Sequence, residues 1–327
     1  MKSIRIFILC CVPLVVMLAM GQALAEAPPT AKIVFASSLN VKIKNKRDIY
    51  IMNPDGTGRI NLSGHNSKDA EPTWSPSGRH ILFTSDRDGG NDLYRMTADG
   101  RDVRRIFKKF ANRLNPAWSP DGQQIAYYHG DDQAIYIADV DGKNEEHLVK
   151  GWGPTWSPDG SEIAFMAIEG SLDIRAIDLK TRSERVVVPN EKSILHGPVW
   201  SPDGTKIAFG RFHFLPFILK GLLDAKDNAP IHTIDIVNSD GTEMETVVAD
   251  EAQVSNPAWS PHSDALIYSG LKGKEHHLFK ISLGSLVSEQ LTHAGNNYSS
   301  DWFDPAILPV GPQPQLRLTT WSKIKKD

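Results

Sequence analysis

Histidines, serines and acids are the groups of this 327-residue chain that could perform chemistry, and their spacing argues against most of it. No Gly-x-Ser-x-Gly elbow is present to expose a nucleophilic serine. No His-Glu-x-x-His is present to hold zinc on one helix face. His276 and His277 are adjacent in a segment with strand alternation, so their rings should point to opposite faces, a poor metal geometry. They are expected to be solvent-exposed strand-end residues. Asp86-Arg87-Asp88-Gly89-Gly90-Asn91-Asp92 has acids at loop positions 1, 3 and 7 but lacks the closing glutamate of a calcium loop. It is expected to be a hairpin loop with an Arg87–carboxylate bond. Cys10 and Cys11 both lie in an apolar leader, which leaves no thiol for disulfides or metal sites after it. The expectation is no catalytic residue, no metal and no cofactor.

What the pattern does offer is a set of convergent positions for binding. Six tryptophans, Trp74, Trp118, Trp156, Trp200, Trp259 and Trp302, are spaced 44, 38, 44, 59 and 43 residues apart. Five stand in near-copies of Pro-x-Trp-Ser-Pro-Asp-Gly, and Ser300-Asp301-Trp302-Phe303-Asp304-Pro305 is a degenerate sixth. A repeat near that length is one four-stranded propeller blade, and ligands of radial folds gather at the axis and the loop faces. If each tryptophan ends an innermost strand, that strand's entrance holds Glu71, Asn115, Gly153, Gly197, Asn256 and Ser299, three residues earlier. Ala70, Leu114, Trp152, His196, Ser255 and Tyr298 lie four residues earlier. Trp152, His196, Tyr298, Glu71 and Asn256, with Asn115, are therefore candidates for a mixed aromatic and polar ring at one mouth. His196 is the histidine best placed for it.

The elements that would position this ring are short strands. After each motif comes an apolar strand: Ile81-Leu82-Phe83, Ile125-Ala126-Tyr127, Ile163-Ala164-Phe165, Ile207-Ala208-Phe209 and Leu266-Ile267-Tyr268. A third strand with period-two alternation follows, as in Asp48-Ile49-Tyr50-Ile51-Met52, then an Asp-Gly turn such as Asp99-Gly100 and a fourth strand. Lys32-Ile33-Val34-Phe35-Ala36 matches the second strand, and no such strand follows Trp302. The two chain ends are therefore expected to share one sheet. That closes the ring and removes exposed edges. The expected fold is an all-β, six-bladed β-propeller of four-stranded antiparallel blades. Each buried indole contributes about 4–6 kcal/mol of transfer free energy.

The repeated Pro-x-Trp-Ser-Pro-Asp-Gly-x-x-Ile-Ala-Phe pattern, with Ser85-Asp86-Arg87-Asp88-Gly89-Gly90-Asn91-Asp92-Leu93-Tyr94 after one copy, resembles the TolB-type propeller repeat, also called WD40-like or PD40. The likeness covers residues 31–305. The resemblance implies a six-bladed propeller of the periplasm that binds partners in the cell envelope. Relatives of that type also carry an N-terminal α/β domain, whereas this chain is expected to be a propeller alone.

Residues 1–25 read as a secretory signal peptide, with Lys2 and Arg5, the apolar run Ile6 to Met20 and the Ala23-Leu24-Ala25 cleavage site. Residues 26–31 are a linker, 32–305 the propeller and 306–327 a proline-rich tail that ends basic, with Leu316, Leu318, Trp321 and Ile324 interspersed. A net charge of −3, with 40% hydrophobic and 23% charged residues, is ordinary for a globular protein and argues against nucleic acid as a partner. The wide Trp200–Trp259 gap holds an apolar insertion, residues 212–225, whose Phe212, Phe214 and Phe217 are candidates for partner binding or channel capping. The expected protein is an exported monomer, periplasmic or secreted, with no membrane span after cleavage. It would bind a protein, peptide or glycan. The alternative is a propeller enzyme, polysaccharide lyase or hydrolase-like, acting at the channel mouth.

Overall fold

The computed structural model describes residues 25–39, 46–190, 193–213, 232–250 and 253–307. The leader up to residue 24, most of the insertion (Phe214 and Phe217 included) and the tail from residue 308 lie outside them. The described residues form strands and turns with no helix, and none of their segments is a helix able to cross a membrane.

Strands β1 (Lys32–Ser38), β2 (Asp48–Met52) and β3 (Ile60–Asn61) open the chain. A second group is β4 (Asp69–Trp74), β5 (His80–Ser85), β6 (Asp92–Thr97) and β7 (Arg104–Arg105). Next come β8 (Arg113–Trp118), β9 (Gln124–His129), β10 (Ala134–Asp139) and the long β11 (Glu146–Trp156), then β12 (Glu162–Ala167), β13 (Ile174–Asp178) and β14 (Glu184–Val188). The last groups are β15 (Ser193–Trp200), β16 (Lys206–His213), β17 (His232–Asn238) and β18 (Glu245–Asp250), and β19 (Val254–Trp259), β20 (Ala265–Lys272), β21 (Glu275–Ser282) and β22 (Val287–Gln290). β23 (Asn296–Phe303) ends the chain of strands.

All strand pairings are antiparallel, and within each group neighbours in sequence are neighbours in the sheet. β23 pairs with β1, with Ile33 opposite Trp302 and Ala36 opposite Tyr298, so the first and last strands share a sheet as expected. One feature differs from the expectation. The fourth strand of one group and the first of the next are a single strand, β11. Its Glu146–Lys150 half pairs with β10 and its Gly151–Trp156 half with β12, which merges two groups into a seven-stranded sheet. The 38-residue spacing between Trp118 and Trp156 is the shortest in the chain because no connector separates these two halves.

Five motif tryptophans end a strand and Trp302 stands one residue before the end of β23; each packs toward the preceding sheet. Trp74 shares a cluster with Val34 and Ile51, Trp156 with Ile135, Trp200 with Ala164, and Trp259 with Ile236. Trp118 packs on the cluster of Leu82 and Leu93, and Trp302 on that of Ile267 and Leu278. Large flat apolar rings are suited to filling the gap between two twisted sheets. The tryptophan-bearing strands also touch in succession, β23 with β4, β4 with β8, β8 with β11, β11 with β15, β15 with β19 and β19 with β23.

The turn after each tryptophan explains the rest of the motif. The Ser157 hydroxyl donates to Asp159 at 2.6 Å and accepts from the Glu162 amide at 2.9 Å, which closes the hairpin. Ser119 and Ser201 repeat both bonds. In the variant fifth turn, where His262 stands for the aspartate, Ser260 finds its acid at Asp264 instead, 2.7 Å away. Successive turns stack: a Cβ on Gly160 would lie 3.7 Å from the Pro120 ring, and one on Gly204 3.7 Å from Pro158.

Candidate functional site: the two mouths of the axis

The entrance residues have an unusual backbone. Glu71, Asn115, Gly153, Gly197, Asn256 and Ser299 all have positive φ, between 44° and 64°. Each lies at a register shift in the pairing of its strand, which is a β-bulge. Glycine enters this left-handed region at no steric cost and asparagine at little, but glutamate does not. At Glu71 a compensation is visible: its Oε2 accepts from the Thr84 hydroxyl at 2.7 Å and from the backbone amide of Asn115 on β8 at 2.8 Å. The side chain thus ties one bulge to the next.

The six bulge residues, with the residue after each (proline in five cases, Ser300 in the sixth), line one cavity of about 320 Å³ on the axis. Glu71, Asn115 and Asn256 therefore converge. Trp152, His196 and Tyr298 are not among its lining residues; the bulge turns consecutive side chains to different surroundings. Trp152 packs on the cluster of Met166 and Leu195. His196 lies over Gly210, where a Cβ would fall 1.9 Å from its Cε1, and burial pushes its pKa below the ordinary imidazole value. Tyr298 pairs its hydroxyl with His276 Nδ1 at 3.0 Å, and the Arg47 guanidinium stands 4.7 Å from its ring centroid. The Phe212 ring lies tilted against His232, its cross-strand partner, with ring centroids 4.7 Å apart.

A second cavity, about 790 Å³, opens at the other end of the axis within the stacked turns. Its walls include the indoles of Trp74, Trp156, Trp200 and Trp302, the Phe303 ring and the carboxylates of Asp159, Glu162, Asp203, Asp301 and Asp304. Among the described residues no lysine, arginine or histidine lines either cavity. Asp301 lines both. Burial pushes its pKa up, against the hydrogen bonds it accepts from Trp74 N (2.7 Å), Thr73 Oγ1 (2.9 Å) and its own neighbour Trp302 N (2.8 Å).

The other sequence candidates sit in structural networks. His276 and His277 both lie on β21, but His277 is only 6% exposed, so it is a core residue rather than the exposed one expected. The Asp86–Asp92 stretch is a hairpin loop, as expected, and Arg87 pairs with Asp69 at 3.2 Å. Among the described residues no group of three or more His, Cys, Asp or Glu side chains is arranged to hold a metal. The second cavity was not foreseen. Its signal was in the motif itself, because Asp159 and Asp203, read as turn residues, also face the axis.

Residues 17–150 match the family model described as the TolB beta propeller domain, PD40. Over that stretch the chain is similar to TolB-type propeller repeats. Among solved structures, TolB from Acinetobacter baumannii superposes with a TM-score of 0.69 at 17% identity, over 83% of this chain and 66% of that one. A putative TolB from Agrobacterium tumefaciens gives 0.63 at 19% identity, over 83% of this chain and 91% of that one. A chain of a nidogen/laminin complex gives 0.65 at 11% identity, over 84% and 99%. At these identities the likeness is one of fold.

Proposed function

We propose that this chain is an exported, monomeric, six-bladed propeller, closed by β1 beside β23, that binds a protein, peptide or glycan at the bulge-lined mouth. The observation that carries the binding reading is the convergence of six left-handed bulges on one axial opening. They present Glu71, Asn115, Asn256 and Ser299 around it and leave backbone exposed at Gly153 and Gly197. Amide, hydroxyl and backbone groups fixed in this way suit a neutral polar ligand such as an extended peptide or a sugar. Among the described residues the lining holds no histidine or lysine to act as the base of a lyase, which favours binding over that reading. The successive contacts of the tryptophan-bearing strands support ring closure.

The leader features at Lys2, Arg5, Ile6 to Met20 and Ala23-Leu24-Ala25 support export to the periplasm or beyond, with 26–31 as linker, 32–305 as propeller and 306–327 as tail. The insertion, residues 212–225, departs from the His213 end of β16, where His213 pairs with Ser193 on the bulge side of β15, and so would border the same mouth.

The test is an Asn115→Gly/Asn256→Gly double variant, which removes both side-chain amides and keeps the backbone conformation. Panels of extended peptides and of neutral oligosaccharides are screened by calorimetry against both proteins. A ligand of the native chain should bind the variant about tenfold more weakly or worse, at an unchanged melting temperature. Equal affinity would remove this mouth from the binding reading.

A further inference from the structure

The turn-side cavity is unlike the bulge-side one in both charge and wall chemistry. Asp159, Asp203, Asp301 and Asp304 have no ion-pair partner among the described residues, whereas Glu162 is paired with Arg185 at 2.8 Å. Burial raises the pKa of Asp159 and Asp203, but hydrogen bonds from Ser157 and Ser161, and from Ser201 and Thr205, outweigh it and hold both below the usual carboxylate range. Their negative charge therefore persists well into acid. Four indoles and the Phe303 ring complete a funnel that sets the Asp159 and Asp203 carboxylates, which have no ion pair among the described residues, beside aromatic faces, the surroundings that favour ammonium and guanidinium groups on an apolar chain.

The described chain ends at this funnel, because Ile307 is itself one of its wall residues. Beyond it the sequence runs through Pro309, Pro312 and Pro314 to Leu316, Arg317, Leu318, Trp321, Lys323, Ile324, Lys325 and Lys326, with Asp327 as its one acid. We propose that this C-terminal segment, residues 308–327, is the occupant of the turn-side cavity of its own chain. The argument is complementarity together with reach. The segment is basic and apolar where the funnel is acidic and aromatic. A span of about nine residues to Leu316, at roughly 3.3 Å each, allows the chain to turn and re-enter a mouth from which it has just emerged. Tethered so closely, it acts at an effective concentration on the order of millimolar, so even weak affinity keeps the funnel filled. The inference concerns the mouth opposite the one assigned to binding above, and stands or falls without it.

The experiment is hydrogen exchange on the full-length chain, read at the amides of residues 316–326. At about 50 mM salt these should exchange roughly tenfold or more slowly than an unstructured peptide, and at about 0.5 M salt the protection should be lost. Lys323→Glu/Lys325→Glu/Lys326→Glu should abolish it, as should Asp159→Asn/Asp203→Asn, which keeps the turn acceptors. Free exchange of the native tail at low salt would overturn the proposal. So would protection that survives Asp159→Asn/Asp203→Asn, since the segment would then lie elsewhere. Protection that rises with protein concentration would assign the funnel to the tail of a second copy and overturn it too.

Discussion

The carboxylate of Asp301, on the last strand, accepts a 2.7 Å hydrogen bond from the backbone amide of Trp74, on the first tryptophan-bearing strand. No other motif has an acid at the place before its tryptophan: the equivalents are Thr73, Ala117, Thr155, Val199 and Ala258. The degenerate repeat is thus the one that places an acid directly before its tryptophan and uses it to hold the neighbouring strand, at the seam where β1 and β23 meet.

This seam has a pH signature. Burial raises the Asp301 pKa, so the folded state favours the neutral acid. Stability should fall as pH rises from about 3.9, the unfolded value, through the raised folded value, and then level off. Asp301→Asn, which still accepts from Trp74, removes this component. Its melting temperature relative to the native chain should be higher at pH 8 than at pH 4. A constant difference across that range would refute the assignment. Asp301→Ala should cost about 1–3 kcal/mol at pH 7 by orphaning the amide.

Histidines give the opposite slope. Burial lowers the pKa of His196, and of His80, His232, His276 and His277, so the fold prefers neutral rings. Stability should decline as pH drops below about 6.5, because the unfolded chain then binds more protons. His196→Asn should flatten this decline in melting curves taken between pH 5 and 7.5. A slope equal to that of the native chain would count against His196 as a contributor.

Gly78 faces Phe303 where the other turn glycines face a proline. A Cβ there would lie 2.1 Å from the Phe303 Cζ, on a backbone with φ of +67°. Gly273, with φ of +68° and nothing within 4 Å, is the control. Gly273→Ala should cost about 1 kcal/mol, from backbone alone. Gly78→Ala should cost about 2–4 kcal/mol, with the excess coming from overpacking. In the Gly78→Ala/Phe303→Ala double variant the two costs should be markedly less than additive in denaturant titrations.

Arg113 is 3% exposed and bridges two groups of strands, 3.2 Å from Asp92 and 3.0 Å from Glu145, with its guanidinium 3.8 Å from the Phe107 ring centroid. Arg113→Ala strands the buried Asp92 carboxylate and should cost about 3–5 kcal/mol by equilibrium unfolding. Removing Asp92 as well should recover part of that, and an additive double variant would contradict the pairing.

The legible part of this fold is what repeats. Trp-Ser-Pro-Asp-Gly placed the hairpins, and the surplus strand at Lys32 matched the missing one after Trp302, because a sheet edge left open is costly. The continuity of β11 was hidden. Nothing in Lys150-Gly151-Trp152 distinguishes a bend from a straight run, and only the short spacing hinted at it. At the bulge mouth, Glu71, Asn115 and Asn256, three residues before their tryptophans, line one cavity. The position four before was carried away from the axis by the bulges, whose positive φ at a glutamate or serine no propensity announces.

β11 also bears on how the molecule responds to being cut or pulled. Elsewhere a connector between adjoining sheets can absorb a nick, an inserted loop or a new pair of termini without touching a ladder. Between Lys150 and Gly151 there is no slack: a Cβ on Gly151 would lie 2.6 Å from the Met166 carbonyl oxygen, and the two halves hold different partners through one unbroken backbone. Force applied to either half reaches the other directly, which makes this junction a stiff link between two groups of strands and a poor place to permute the chain.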